Sequence, residues 1–294
     1  MSPLPYAEAL LTQGYCFVPV QDIRALGMAK HITQTALREF AALPLKTRVQ
    51  FSFCFDRSEW ADLGDELQGE QSDDGYLLRD PNINPMDDNK HAWHQRSDLR
   101  EQFRAVGVEF LPVVDALMTH AESLRALLYQ NFMPVTDQLD RHPALKGYSI
   151  GNLVSADPRL SVLRLLRYMA ASPRQGEQNV VGGFHDDRSM FTVHAGSTSG
   201  MVQANHGDPF SEADWHDVVR PKDTLLIFNS KKAALLTGGT SRKVELSTGV
   251  IELIDGGLLP TLTHRGRNDP GQNLSMDPRL ATVLFIHNNH VTLK

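Results

Sequence analysis

The sequence predicts an α+β protein, with helices gathered in the N-terminal half and short strands in the C-terminal half. Three observations carry this. Apolar residues recur at helical spacing through residues 6–13, 23–42 and 98–132. From about residue 149, short apolar runs alternate with turns of Gly, Asn, Asp and Pro. The chain has 294 residues and 41% hydrophobic content, enough for one sizeable core. We read residues 1–294 as one domain, made of a helix-rich part, 1–148, and a strand-rich core, 149–294. Many short strands with polar turns call for a sandwich or barrel.

In order, residues 6–13 read as a short helix closed by Gly14, and residues 15–20 as a strand with Pro19 near its end. A second helix over 23–42 has Asp22 as N-cap and Pro44 as its stop. Its expected buried side is Ile23, Leu26, Ile32, Ala36, Leu37 and Phe40. Residues 56–98 look irregular and polar, with turn signals at 72–75 and 81–85. His91, Trp93 and His94 at its end are a weak second metal candidate. Ser97 opens the longest helical pattern, 98–132, which Pro112 should kink or split. Strands are then expected at 163–168, 179–184, 191–194, 200–203, 223–228, 244–253 and 282–287.

Among those strands, Gly182-Gly183-Phe184-His185-Asp186-Asp187 carries the chemistry. Alternate side chains of a strand share a face, so His185 and Asp187 project together and Asp186 points away. His264, from a distant strand, completes two imidazoles and one carboxylate. That set holds Fe(II) and leaves coordination positions open. A double-stranded β-helix, the jelly-roll core, brings Asp187 and His264 together despite their separation. The fold expected is therefore a jelly-roll core flanked by helices.

Other features narrow the function. Net charge is -6, with acids and bases mixed, so there is no nucleic-acid footprint. No run approaches the roughly 20 apolar residues of a membrane helix. Residues 1–5 lack a basic segment and an apolar run, so no signal peptide is read and a cytoplasmic location is expected. Cys16 and Cys54 sit in apolar stretches and are expected to be buried free thiols. His194, His206, His216, His287 and His290 are read as surface or packing residues, and Lys231-Lys232 as a solvated turn. Of Arg164 and Arg167, strand alternation aims only one toward a site.

These residues resemble the isopenicillin N synthase-like group of Fe(II)/2-oxoglutarate dioxygenases, mostly in the C-terminal half. His185-Asp186-Asp187 followed by Ser189-Met190-Phe191-Thr192-Val193 is similar to the family's His-x-Asp and the strand after it. Ser199-Gly200-Met201-Val202-Gln203 is similar to its Gly-Leu-Gln strand. Trp215-His216-Asp217-Val218 and residues 223–228 resemble its Trp-Val segment and the apolar strand that follows. His264-Arg265 matches its distal His-Arg, and Arg279-Leu280-Ala281 its Arg-x-Ser. More loosely, residues 13–18 resemble its Gly-Phe-Phe strand. Three departures stand out. The gap from Asp187 to His264 is longer than usual, with the extra length between Gly239 and Pro260, where 244–253 could form an added hairpin. The Ser of Arg-x-Ser is Ala281. The Asn of Asn-x-Tyr is Leu166, with Tyr168 kept.

The resemblance implies an enzyme that uses Fe(II), O2 and 2-oxoglutarate as cosubstrate. His185, Asp187 and His264 would hold the iron. Arg279 would pair with the far carboxylate of 2-oxoglutarate, since a guanidinium stays charged and matches a carboxylate bidentately. Tyr168 would add a hydrogen bond, and Ala281 occupies the third cosubstrate position without its hydroxyl. The implied partner is a small molecule, an amino acid or secondary metabolite, oxidised most simply by hydroxylation with release of succinate and CO2. Ala281 and Leu166 keep open an Fe(II) oxidase that does not use 2-oxoglutarate. A jelly-roll protein that binds metal or ligand without turnover is the third reading.

Overall fold

The computed structural model describes residues 4–54, 73–79, 90–97, 99–155, 161–169, 180–246, 249–269, 271–274, 276 and 278–287. Helix α1 (Pro5–Gln13) ends at Gly14, whose φ of 79° is left-handed. A Cβ there would sit 3.0 Å from the Pro260 carbonyl oxygen, so both conformation and space ask for glycine. Strand β1 (Tyr15–Pro19) follows. Helix α2 (Ile23–Ala41) starts as expected: Asp22 Oδ1 accepts the Ala25 N–H at 2.8 Å. Its buried side is Leu26, Thr33, Ala36, Leu37 and Phe40, while Ile23 and Ile32 are exposed. Thr33 can be buried because its hydroxyl bonds the carbonyls of Ala29 and His120. Pro44 serves as N-cap of α3 (Leu45–Arg48), two residues after the α2 cap, Ala42.

Strand β2 (Ser52–Cys54) precedes the stretch read as irregular, which itself contains two strands, β3 (Asp73–Arg79) and β4 (Lys90–Gln95). Asp73-Asp74-Gly75, read as a turn, is the start of β3. Pairing with neighbours overrides the local preference of Asp and Gly for turns. The turn signal at 81–85 lies outside the described residues. The long helix is split, as Pro112 requires, into α4 (Leu99–Ala105) and α5 (Pro112–Arg141), with Pro112 at the first turn. It also runs past Phe132, through Pro134, to Arg141. Val135 and Leu139 continue the buried stripe, and their packing offsets an interior proline's cost of about 3 kcal/mol.

Helix α6 (Ile150–Ser155) leads to the strand-rich half: β5 (Ser161–Tyr168), β6 (Val180–His185), β7 (Phe191–Ser197), β8 (Met201–Asn205), β9 (Trp215–Asp217) and β10 (Thr224–Asn229). Then come α7 (Lys231–Leu236), β11 (Thr240–Leu246), β12 (Gly249–Asp255), β13 (Thr263–Arg267) and β14 (Arg279–Ile286). All pairings are antiparallel. The larger sheet runs β1-β10-β7-β14-β5-β4-β3-β2, the smaller β6-β13-β8-β9, and β11-β12 is a separate hairpin. That hairpin falls where the added length was read. From β5 to β8 the chain alternates between the two sheets, and the N-terminal half supplies β1 to β4 of the larger one.

Each face of the larger sheet has its own cover. Leu163, Leu165, Val193, Ala195, Leu225, Ile227, Leu280 and Leu284 share a core with α1, α2 and α5. The Phe132 and Phe191 rings meet at 5.3 Å across this layer. On the other face, Leu226 and Phe228 pack with Val202 and Ala204 of the smaller sheet. The strands therefore read as nearly continuous apolar runs, and the cleft between the sheets is where polar side chains stand out. Cys16 is buried, and burial pushes its thiol up to about 12. The side chain of Cys54 is outside the described residues.

Candidate metal centre

His185 ends β6 and His264 lies in β13, directly opposite it in the register. A cross-strand pair has Cβ atoms about 5 Å apart, and the two imidazole centroids are 4.6 Å apart. Irregular pairing follows immediately, between His264 and Gly266. Asp187 sits just beyond β6. His185 Nε2 lies 3.3 Å from Asp187 Oδ1, and His264 Nε2 3.8 Å from Asp187 Oδ2. One ligand atom from each residue falls within 4.8 Å of the others, the only such group of three among the described residues.

The neighbouring groups orient these atoms. His264 Nδ1 donates to the Leu262 carbonyl at 3.0 Å, leaving the Nε2 lone pair for a metal. Thr192 Oγ1 donates to Asp187 Oδ2 at 2.6 Å, and Ser230 Oγ, 3.0 Å away, then donates to Thr192. The Asp187 carbonyl accepts the Lys231 N–H at 2.8 Å. Asp186 turns away, as alternation requires. Its two oxygens accept from Ile254 N at 2.7 Å and Thr263 Oγ1 at 2.6 Å, tying the metal end to β12 and β13.

Burial by itself would raise Asp187, yet the His264 and His185 imidazoles and the Thr192 hydroxyl hold it well below the usual carboxylate range. Burial, joined by His185 and opposed by Asp187, takes His264 down to about 4. An ionised carboxylate and a neutral imidazole are the protonation states a cation needs. An octahedral ion with bonds of about 2.1 Å puts adjacent donors about 3 Å apart, so the donor set fits a divalent metal with little adjustment. The side chain of His185 is 40% exposed and that of Asp187 only 7%, so the site opens on the His185 side. The Phe228 ring, 4.7 Å from that of His264, walls another side.

Arg279 opens β14 opposite Tyr168 of β5, with its guanidinium 5.7 Å from the tyrosine ring. It is buried and donates to the carbonyls of Ser199 at 2.9 Å and Met201 at 3.3 Å, and to Ser197 Oγ at 3.3 Å. Among the described residues no carboxylate forms an ion pair with it. Ala281 and Leu166 are paired on β14 and β5 and share a cluster with Tyr168. Arg164 lies over the Phe285 ring of that cluster at 4.5 Å, whereas Arg167 points to the opposite face.

Several expectations change. Lys231 and Lys232 are buried in the first turn of α7 rather than solvated, because α7 packs beneath the metal end and Lys231 Nζ reaches Glu252 at 3.2 Å. His287 is a packing residue, within the sequence expectation: it is buried, and burial with Lys232, Arg96 and Arg164 nearby keeps it neutral. His206 and His216 stack at 4.7 Å on the surface, and His290 lies outside the described residues. His91, Trp93 and His94 do not converge. Trp93 belongs to the helix-side core, His94 faces the other way, and Arg48 Nη1 sits 2.8 Å from His91 Nδ1. Sequence reasoning missed Thr192 and Ser230 as supports of Asp187. The available signal was a hydroxyl at an inward position of the strand after the His-x-Asp.

No family model matches the sequence, and no curated protein matches it. Solved structures do. An oxygenase from Shewanella oneidensis aligns over 97% of this chain and 86% of its own, with TM-score 0.61 and 13% identity. A protein of the 2OG-Fe(II) oxygenase family from Caulobacter crescentus aligns over 96% and 80%, with TM-score 0.59 and 19% identity. A Neurospora crassa protein in complex with alpha-KG aligns over 98% and 79%, with TM-score 0.60 and 16% identity. The chain thus has the fold of these oxygenase structures. No described helix is long and apolar enough to cross a membrane.

Proposed function

We propose that the chain is an Fe(II)- and 2-oxoglutarate-dependent oxygenase that hydroxylates a small molecule, forming succinate and CO2. The observation that carries this is the convergence of His185, Asp187 and His264, with Asp187 charged and His264 neutral, inside a fold shared with such oxygenases. The strand orders β10-β7-β14-β5 and β6-β13-β8-β9 support a double-stranded β-helix. We place the whole chain, 1–294, in one domain around that core.

In this reading His185, Asp187 and His264 hold the metal, which when bound supplies O2 activation and a seat for the 2-oxo acid. Thr192 and Ser230 keep the Asp187 carboxylate turned inward. Arg279, with Tyr168 beside it, neutralises the far carboxylate of 2-oxoglutarate. The apolar cleft walls exclude water, which strengthens that pairing. The Neurospora protein binds thymine in another complex, in keeping with a small-molecule substrate.

Ala281 and Leu166, both buried at the cosubstrate positions, favour a second reading, an Fe(II) oxidase that does without 2-oxoglutarate. Succinate formation from 2-oxoglutarate, with Fe(II) and ascorbate under air, separates the two. We expect slow succinate release by the wild type and none by His185→Ala. Iron-loaded wild type that releases no succinate and does not bind 2-oxoglutarate would exclude the first reading.

A further inference from the structure

The cleft between the sheets has a second polar end. On β7, Val193 and Ala195 face the helices, so Thr192, His194 and Gly196 face the cleft. Thr192 belongs to the metal end. At about 3.4 Å per residue, His194 stands about 7 Å further along the strand and Gly196 about 14 Å. A cavity of about 280 Å3 lies there, near the lower bound for small-ligand pockets, about 300 Å3. Val202, Val218 and Leu226 form apolar lining, and His194 and Arg220 bring polar groups to it.

Arg220 reaches this cavity from the connection between β9 and β10, and its guanidinium lies against Gly196. A Cβ on Gly196 would be 2.6 Å from Nη2 and 2.7 Å from Nη1. Gly196 has φ +103°, which strains any side chain, and its missing Cβ leaves the place the guanidinium takes. Arg220 forms no ion pair among the described residues. Arg279 is buried just behind the Ser197 and Met201 lining; it forms no ion pair among the described residues, and the Asp269 charge acts on it from further off. Lys30 Nζ donates to the Ala195 carbonyl at 2.6 Å, on the same strand. Three cations therefore meet at one end of the cleft, Arg279 buried, Lys30 half-buried and Arg220 open to the cavity mouth, and together they favour an anion there.

His194 adds a donor. Its Nδ1 accepts the Gly196 N–H at 3.2 Å, so the ring proton sits on Nε2. Burial and the charges of Arg279 and Arg220 keep the ring neutral. On β14, Val283 pairs with His194, and Ala281, two residues back on the same face, pairs with Ser197, so the imidazole lies diagonal to the position that lacks a hydroxyl.

We propose that Arg220 and His194 are specificity residues that, with Arg279, seat the far carboxylate of a short 2-oxo dicarboxylic acid, His194 supplying the hydrogen bond lost at Ala281. This rests on the cosubstrate reading above, and the test separates the two. Calorimetric titration of the Mn(II)-loaded protein compares 2-oxoglutarate with 2-oxobutanoate, which has the same 2-oxo acid end and no far carboxylate. Wild type should prefer 2-oxoglutarate by about 100-fold, from charged hydrogen bonds to its far carboxylate. Arg220→Gln should lose about 10- to 100-fold in 2-oxoglutarate affinity with 2-oxobutanoate unchanged, and Arg220→Lys should recover part of it. His194→Leu should lose about 10-fold in the same selective way. Unchanged thermal midpoints would show the variants folded. Full preference retained in both Arg220→Gln and His194→Leu overturns the inference and leaves the cosubstrate reading standing. Wild type that binds both acids equally also overturns it. Wild type that binds neither overturns the cosubstrate reading and this inference together.

Discussion

The two polar ends of the cleft are built on opposite principles. At the metal end both carboxylates and His264 are tied. Asp187 is fixed by Thr192 and Lys231, His264 by Leu262, and Asp186 by Ile254 and Thr263. At the other end the guanidinium of Arg279 is held by neutral oxygens, and Arg220 has no described hydrogen-bond partner. The first end is pre-formed for a cation with defined donor directions. The second gathers positive charge that only the more distant Asp269 offsets, and an anion would complete it. A metal site needs directional lone pairs, so its supports are hydrogen bonds. A carboxylate seat needs charge and dryness, so its supports are apolar walls.

If the ends are independent, removing one should leave the other intact. The largest effect is expected from His264→Ala, which should lower metal affinity more than about 100-fold, since even outer supports of a ligand cost about 10- to 100-fold. Arg279→Met should leave metal affinity unchanged. Titration with Co(II), followed by its visible spectrum, reads both. Equal losses in the two variants would show that the ends form one unit.

Asp186→Ala tests the tie between the metal end and the added hairpin. It strands the buried Ile254 N–H, at a cost of about 1–3 kcal/mol. Denaturant unfolding of the metal-free protein should show that loss. A cost under a few tenths would mean that the hairpin stands apart from the site. Thr192→Val is smaller: it removes one hydrogen bond to Asp187 and should cost about 10-fold in metal affinity. Preference for 2-oxoglutarate over 2-oxobutanoate should stay as it is.

The subtlest contrast is in pH. Burial, helped by Arg220, lowers Lys30 from 10.5 to about 8. Between these values the unfolded chain binds the proton and the folded chain has lost it. Stability therefore rises with pH across about 8 to 10.5 from this group, and its cost is fully present below 8. Lys30→Met should flatten that rise, as urea midpoints at several pH values would show. An unchanged slope would place the charge strain elsewhere than Lys30.

Much of the metal end was legible. His185 and Asp187 share a face because strand side chains alternate, and the same rule sends Asp186 to the hairpin. Gly14 and Asp22 marked helix ends because their conformational preferences are local. The distant end was less legible. His194 reads as a packing residue until the cavity sets it beside Arg220, and Arg220 is one basic residue among many until Gly196 leaves room for it. Lys231-Lys232 looked solvated because two adjacent lysines usually are. Only the position of α7 beneath the metal end, with Glu252 in reach, made their burial affordable.

The sequence by itself determined the periodicities, the helix caps, the split at Pro112 and the His-x-Asp pair, all set by interactions within a few residues. The tertiary structure alone decided that His264 stands opposite His185, that 73–79 and 90–95 extend the larger sheet, and that Arg220, Arg279 and Lys30 gather at one end. Those outcomes depend on strand register and on charge held away from water, and both arise only when segments far apart in the chain are packed together.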